Sequence, residues 1–212
     1  MKTTIYLVRH GNSTGNVLKK IIGVTDAKLT KEGFKQGKAV AKCFKSKKLD
    51  AVYSSPLSRA EITAMFTAKQ KKLPLLIDKR FGEMNFGEKF EDVTWDEALT
   101  WEDDSYKKYR DPVEFVYVKF PCGGENGVEV IARMVEGLCD IEKKHTGGRV
   151  MVVTHSVALM MLLGYLKNDK KVEGMRRAHR LPNASVTTLE IEDGVITLVE
   201  EGNVSHLGKI TV

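Results

Sequence analysis

The chain has 212 residues, of which 42% are hydrophobic and 29% are charged, and its formal net charge is +6 at pH 7. This length predicts one full-sized domain with a substantial core. We find neither the apolar core of a signal peptide nor a span-length apolar stretch, and the three cysteines lack the spacing of a metal site. We therefore expect a cytoplasmic protein with no membrane partner.

The positive charge is spread over short clusters, for example residues 45–48 and the group of Arg176, Arg177 and Arg180. We expect most of these side chains to be solvated. A basic surface attracts anionic ligands, but the chain contains no nucleic-acid-binding motif. The sequence therefore predicts no specific nucleic-acid partner, and it leaves open whether the protein is a monomer or a homodimer.

Short apolar segments alternate with helix-forming segments along the chain. The pattern predicts strands at residues 3–8, 51–54, 75–77 and 149–154, and a hairpin of residues 186–191 and 195–200 around Asp193 and Gly194. Helices are predicted at residues 31–44, after Pro56, after Gly124 and at residues 157–166. This alternation predicts an α/β fold, a three-layer α/β/α sandwich with a mainly parallel sheet.

Two segments carry more specific expectations. In the helix at residues 31–44, one face is predicted to pack on the sheet, and it consists of Phe34, Gly37, Val40, Ala41 and Phe44. Thr30 is a plausible N-cap. The weakly patterned residues 88–124 predict a cap-like insertion within a single domain that spans residues 1–212. The acidic cluster of Glu102, Asp103 and Asp104 in this insertion is expected to be solvated rather than metal-binding.

Basic side chains follow three of the predicted strands. Arg9 and His10 end the first strand, His155 ends the strand at residues 149–154, and Arg59 follows the strand at residues 51–54. Ligands of an open parallel sheet bind outside the carboxyl ends of its strands, so we expect these side chains to face one crevice. Alone, each residue is compatible with a solvated strand end or a structural hydrogen bond. Together they match the charge and geometry of a phosphoryl group.

An ordered set of motifs resembles the histidine phosphatase superfamily, also called the phosphoglycerate mutase-like family. The matching residues, in chain order, are Arg9-His10-Gly11, Asn16, Asp26 with Leu29-Thr30 and Gly33, Ser54-Ser55-Pro56-Leu57 with Arg59-Ala60 and Thr63-Ala64, Glu83 with Gly87, Gly123-Gly124-Glu125, Thr154-His155 and Asn183. The Arg-His-Gly motif alone is weakly specific, whereas the ordered set is highly specific and spans almost the whole chain.

The resemblance implies a catalytic group made of His10, Glu83, Arg9, Arg59 and His155. His10, as a neutral imidazole, would attack phosphorus and form a phosphohistidine. Arg9, Arg59 and His155 would hold the phosphoryl oxygens, and Glu83 would protonate the leaving oxygen and later activate water. Because the arginines offset the developing charge, no metal ion or other cofactor is expected.

The resemblance also implies a substrate-binding group, made of Asn16, Ile22, Gly23, Phe86 and Ser156. Three positions depart from the family pattern. Ser156 stands where the residue after the second histidine is usually glycine, and Cys122 and Asn126 flank the Gly-Gly-Glu stretch where proline and serine are usual. These departures bear on the choice of substrate rather than on the chemistry.

The resemblance leaves three functions to weigh. Mutases of the family grip a second acidic group of the substrate with a tyrosine, a lysine and an arginine pair, whereas here Phe86 occupies the tyrosine position and Lys107 and Lys108 match the arginine pair only loosely. We therefore favour a metal-independent phosphomonoesterase of a small phosphorylated metabolite over a cofactor-dependent phosphoglycerate mutase. A non-catalytic phospho-ligand binding module is the third alternative. The sequence does not identify the physiological substrate.

Overall fold

The computed structural model describes residues 1–98, 100–101 and 108–210 of the chain. The acidic cluster of Glu102, Asp103 and Asp104 and the side chain of Lys107 lie outside these described residues, so the expectations about them stay predictions.

The described residues contain one six-stranded mixed sheet. Its strands are β1 (Thr3–Arg9), β2 (Ala51–Ser54), β3 (Leu75–Ile77), β4 (Arg149–Thr154), β5 (Val186–Glu192) and β6 (Val195–Asn203). They are arranged in the order β3-β2-β4-β1-β5-β6. The pairs β3–β2, β2–β4 and β4–β1 are parallel, whereas β5 and β6 add an antiparallel hairpin at one side.

Helices connect these strands. They are α1 (Thr14–Val17), α2 (Lys31–Phe44), α3 (Ser58–Lys71), α4 (Trp95–Ala98), α5 (Glu114–Tyr117), α6 (Gly127–Lys144) and α7 (Ser156–Lys167), with short 3-10 helices at Lys79–Phe81 and Ser205–Leu207. Thr30 caps α2 by accepting the backbone N–H of Gly33 at 3.1 Å, as its position before the helix predicts.

Alternate residues of the central strands enter two separate cores, because successive side chains of a strand point to opposite faces of the sheet. Leu7 and Val152 join the core that includes α6 and α7, whereas Val8 and Val153 join the core that includes α2 and α3. All four side chains are fully buried. Helices therefore cover both faces, and the prediction of a three-layer α/β/α sandwich with a mainly parallel sheet is confirmed.

The predicted inward face of α2 is buried except at Phe34, because Gly37, Val40, Ala41 and Phe44 all face the core. Phe34 was expected to face the sheet, but its side chain is 41% exposed and packs edge-to-face on Phe66. Gly33 and Gln36 are buried on this face as well. Gly33 lies so close to the loop after β1 that an added Cβ would be 2.1 Å from the carbonyl oxygen of Asn12. This close approach turns the glycine face of the helix inward and Phe34 outward.

The described part of residues 88–124 is held together by aromatic contacts. Phe90 is fully buried and packs edge-to-face on Phe120, with ring centroids 5.0 Å apart. Phe120 also stacks on Tyr109 at 4.2 Å and contacts Phe86 at 5.1 Å. These contacts attach the segment to the loop that carries Glu83. Its role as a cap over the site stays a prediction.

Candidate active site

A cavity of about 580 Å³ opens at the carboxyl ends of β1 and β4. Ten residues are predicted for the site from the sequence, and eight of them line this cavity, namely Arg9, His10, Asn16, Ile22, Arg59, Glu83, Phe86 and Ser156. The other two do not line the cavity but contact residues that do. His155 is fully buried beside His10, and the backbone of Gly23 contacts Arg59. The strand order explains this gathering, because the parallel strands β1, β2 and β4 end at one edge of the sheet.

The ring of His10 is fixed in one tautomer. Its Nδ1 atom lies 2.7 Å from the carbonyl oxygen of Gly11, and since a carbonyl only accepts, Nδ1 must carry the hydrogen. The Nε2 atom therefore keeps its lone pair. Burial and the charges of Arg59 and Arg9 lower the pKa of His10 well below its ordinary value. A neutral imidazole with a free Nε2 lone pair is the form that acts as a nucleophile.

His155 lies beside His10, with ring centroids 5.1 Å apart. The Nε2 atom of His155 is 2.7 Å from the hydroxyl oxygen of Ser55, whereas its buried Nδ1 atom has no hydrogen-bond partner among the described residues. Burial and the charge of Arg59 lower the pKa of His155 well below its ordinary value. A buried polar atom without a partner is costly, so a ligand atom that hydrogen-bonds Nδ1 would stabilise this arrangement.

Arg9 and Arg59 are both buried, with exposed fractions of 3% and 2%. Arg9 donates from Nη1 to the carbonyl oxygen of Leu181, and its buried Nε atom has no partner in the described part of the chain. Burial and the nearby charge of Arg180 lower the pKa of Arg9 to about 9. Desolvated cations that repel one another are stabilised by an anion, so the pair favours a multiply charged ligand.

Glu83 is a buried carboxyl group on the same cavity wall. One oxygen accepts the backbone N–H groups of Met84 and Ala158, both at 2.9 Å, and the other accepts that of Val157 at 3.0 Å. Two of these donors belong to the first turn of α7, where unpaired N–H groups favour an acidic partner. The start of α7 therefore fixes the side chain of Glu83 against Val157 and Ala158, the second and third residues after His155.

The loop of Glu83 is held from behind by Arg133. This arginine donates to the carbonyl oxygens of Gly82 at 2.9 Å and Glu83 at 3.1 Å, and it forms an ion pair with Glu125 at 2.8 Å. Glu125 also accepts the backbone N–H of Asn85 at 2.9 Å. The glutamate of the Gly-Gly-Glu stretch therefore has a structural task, which is to anchor the loop that carries Glu83.

Asn16 presents a donor to the cavity. Its Oδ1 atom accepts the backbone N–H of Ser13 and the side-chain amide of Asn183, both at 3.1 Å. Because the oxygen is occupied, the Nδ2 group is left for a ligand. This contact with Asn16 gives Asn183, the last residue of the ordered set of motifs, a structural role at the cavity.

Arg59 and Glu91 hold the loop of residues 22–25 from opposite sides. Arg59 donates to the carbonyl oxygens of Gly23 at 2.9 Å and Thr25 at 3.0 Å. The carboxylate of Glu91 accepts the backbone N–H groups of Gly23, Val24 and Thr25 at 3.0 to 3.2 Å. Glu91 therefore links the segment at 88–124 to the arginine of the cavity, a contact that the sequence did not indicate.

Sequence reasoning also missed other cavity side chains. Arg180, Lys19, Lys20 and Asp96 line the same space. The charge pattern groups Arg180 with solvated arginines, although its position three residues before Asn183 is a signal that could place it near the site.

Among the described residues, no group of three or more His, Cys, Asp and Glu side chains could hold a metal ion. No helix in the described ranges is both long and apolar enough to cross a bilayer.

Comparison with known protein families supports the resemblance that the motifs indicate. The model of the Histidine phosphatase superfamily (branch 1) matches residues 5–204. The chain therefore belongs to the histidine phosphatase superfamily, as the ordered motifs predict.

Individual relatives match nearly the whole chain. The "Metal-independent phosphoserine phosphatase" of Arabidopsis thaliana is 33% identical over 98% of this chain and 84% of its own length. "Phosphoglycerate mutase-like protein 4" of the same plant is 32% identical over 96% of this chain and 86% of its own. The structure of a phosphoserine phosphatase mutant from Entamoeba histolytica in complex with phosphoserine is 28% identical, covers 97% of this chain and 99% of its own, and superposes with a TM-score of 0.81.

Family and relatives together confirm the class of enzyme that the sequence predicts. The protein is a histidine phosphatase, a phosphomonoesterase that acts through a phosphohistidine on a small phosphorylated substrate.

Proposed function

We propose that the protein is a metal-independent phosphoserine phosphatase in which His10 is the nucleophile. The observation that carries this proposal is the free Nε2 lone pair of His10, which Gly11 fixes, in a cavity lined by Arg9 and Arg59. A neutral nucleophile between two cations suits a phosphate dianion, because the cations attract the substrate without protonating the imidazole.

The first half-reaction moves the phosphoryl group to the enzyme. Nε2 of His10 attacks phosphorus in line while the bond from phosphorus to the ester oxygen breaks, and Glu83 gives its proton to the departing oxygen. Arg9, Arg59 and the Nδ1–H of His155 stabilise the charge on the phosphoryl oxygens. The alcohol leaves, and Nε2 carries the phosphoryl group.

The second half-reaction returns the enzyme to its starting state. Water attacks the phosphohistidine, Glu83 accepts a proton from this water, and the bond from nitrogen to phosphorus breaks. Inorganic phosphate leaves, His10 recovers its lone pair and Glu83 is again protonated. The same carboxyl group therefore serves as acid and then as base.

Phosphoserine as the substrate is supported by charges beyond those that the phosphoryl group needs. Lys19, Lys20 and Arg180 add positive charge to the cavity wall and Asp96 adds a negative one. Phosphoserine carries a carboxylate and an ammonium group beside its phosphoryl group, so both signs of charge have a partner. The names of two relatives, one of them bound to phosphoserine, support the same substrate.

The test measures phosphate release from a panel of phosphomonoesters in the presence of a metal chelator. We expect O-phosphoserine to have the highest kcat/KM, and we expect His10→Ala to abolish turnover. Loss of activity with chelator, or a clear preference for a substrate without an amino group, would contradict the proposal.

A phosphoglycerate mutase is the second candidate, because a relative with a mutase-like name is nearly as similar. A mutase must retain its phosphohistidine while the substrate reorients, whereas a phosphatase needs only to admit water. Rapid interconversion of 2- and 3-phosphoglycerate with negligible phosphate release would favour the mutase over the phosphatase.

We also place the protein in the cytoplasm as part of this proposal. Its cysteines Cys43, Cys122 and Cys139 are free thiols in the structure, which suits a reducing compartment.

A further inference from the structure

Ser156 holds Arg180 at the mouth of the catalytic cavity. The Nε atom of Arg180 donates to the hydroxyl oxygen of Ser156 at 3.1 Å, and both side chains line the cavity. Ser156 is only 3% exposed and directly follows His155 at the start of α7. The contact therefore fixes the exposed guanidinium of Arg180 beside Ser156, the residue that follows His155.

This contact depends on a residue that departs from the family pattern. The resemblance places a glycine after the second histidine, and a glycine has no side chain with which to hold Arg180. The serine and the arginine lie 24 positions apart in the chain, so only the folded structure shows that they act together.

Arg180 also stands out by its charge environment. No acidic side chain of the described residues forms an ion pair with Arg180, whereas Lys20 on the same wall is paired with Asp92 at 3.0 Å. Arg180 instead lies close enough to Arg9 for the two charges to repel, and this repulsion contributes to the lowered pKa of Arg9. A third cation in this position is stabilised when the ligand carries more than one anionic group.

We propose that Arg180, held by Ser156, binds a carboxylate that the substrate carries beside its phosphoryl group. The inference rests on the proposed function only in that it requires a phosphomonoester hydrolysed at His10. Arginine suits this task because its planar guanidinium donates two parallel hydrogen bonds to a carboxylate, and Nη1 and Nη2 are left for them when Nε bonds Ser156. Arg9 and Arg59 remain for the phosphoryl oxygens.

The test compares two matched pairs of substrates that differ by one carboxylate. The pairs are O-phosphoserine with O-phosphoethanolamine, and 3-phosphoglycerate with glycerol 3-phosphate. For Arg180→Gln, we expect kcat/KM for the carboxylated member to fall by about 10- to 100-fold, as for a lost hydrogen-bonded charge pair, and the other member to fall much less. Arg176→Gln, which removes an exposed arginine from the same segment, is the control and should leave both pairs unchanged.

Ser156→Ala tests how Arg180 is held. We expect this variant to lose part of the preference for the carboxylated member, mainly through a higher KM. In the double variant Ser156→Ala and Arg180→Gln, the loss should equal that of Arg180→Gln alone, because the serine acts through the arginine. Full additivity of the two losses would contradict the coupling.

The outcomes separate this inference from the proposed function. If Arg180→Gln lowers kcat/KM equally for both members of each pair, or for neither, Arg180 does not bind a carboxylate and the inference fails. If phosphoserine is not hydrolysed but the 3-phosphoglycerate pair depends on Arg180, the proposed substrate is wrong and the inference stands. A wild-type enzyme without preference for either carboxylated member would overturn the inference as well.

Discussion

The hydroxyl group of Ser55 forms a hydrogen bond with the ring of the buried His155. Its oxygen lies 2.7 Å from Nε2 of His155 and also accepts the backbone N–H of Leu57 at 3.3 Å. A hydroxyl can accept from Leu57 and still donate its hydrogen to Nε2, and the role proposed for His155 requires this direction, because the proton of the neutral imidazole is then on Nδ1. Within the described part of the chain Nδ1 is buried and has no partner, so in this tautomer it would donate to a phosphoryl oxygen.

Ser55→Ala should therefore reduce catalysis without unfolding the protein. Loss of the hydroxyl releases the tautomer and the orientation of His155, and we expect kcat to fall by about 10-fold, the value of one hydrogen bond that is made in the transition state. Steady-state kinetics with an aryl phosphate measure this loss. Ser58→Ala, whose hydroxyl bonds Asp26 rather than a histidine, is the control. An unchanged kcat in Ser55→Ala would show that Ser55 does not orient His155.

Glu91→Gln should weaken the site from a distance. The amide would replace one of the two oxygens that accept the N–H groups of Gly23, Val24 and Thr25, so the loop that bonds Arg59 should shift. We expect kcat/KM to fall by roughly 10-fold for every phosphomonoester and inorganic phosphate to inhibit less strongly. Glu88→Gln removes an exposed carboxylate three positions away and is the control. Equal kinetics for the two variants would refute the link between Glu91 and Arg59.

Glu83→Gln should be sensitive to the leaving group. Without a proton donor, transfer from phosphoserine to His10 should slow by about 10²- to 10⁴-fold, the usual contribution of general acid catalysis. Transfer from para-nitrophenyl phosphate should slow far less, because its leaving oxygen needs no protonation. Single-turnover formation of the phosphoenzyme isolates this step. Equal losses for the two substrates would mean that Glu83 only supports the start of α7.

Stability should depend on pH through the buried histidines. Burial lowers the pKa of His10 and of His155 in the folded state, so between that lowered pKa and about 6.5 the unfolded chain binds protons that the folded protein does not. The free energy of unfolding should therefore decrease as the pH falls from about 7 to about 5, by at most about 1.4 kcal/mol per pH unit for each histidine. Denaturant titrations should show a smaller decrease for His10→Gln than for His179→Gln, which changes an exposed histidine.

The fold was predictable from the sequence wherever a local pattern decides the structure. The apolar segments of β1, β2 and β4 are short, and the helices between them are amphipathic, so both the parallel sheet and the meeting of His10 with Arg59 follow from general rules. Phe34 shows the limit of such patterns. Its spacing fits the buried face of Val40 and Phe44, but a close contact between Gly33 and Asn12 holds Gly33 inward and leaves Phe34 at the exposed edge.

Other parts of the site depend on contacts that leave no local signal. Glu91 reaches backbone groups 66 to 68 positions away, and Ser55 bonds a histidine 100 positions away. Hydrogen bonds of this kind have no periodicity. Glu91 resembles an ordinary surface residue in the sequence, and Ser55 belongs to the matching motifs without any indication of the residue that it bonds. The residues that line the cavity could therefore be predicted largely as a set, whereas the residues that hold them required the structure.

The central claim, that His10 carries the phosphoryl group, is tested most directly by trapping the intermediate. Enzyme mixed with phosphoserine and rapidly denatured at alkaline pH should contain one phosphoryl group, which peptide mass spectrometry should locate on His10 and which acid should release. His10→Ala should show none. A phosphoryl group on a serine, on an aspartate or on His155, or hydrolysis by His10→Ala at the wild-type rate, would contradict the account.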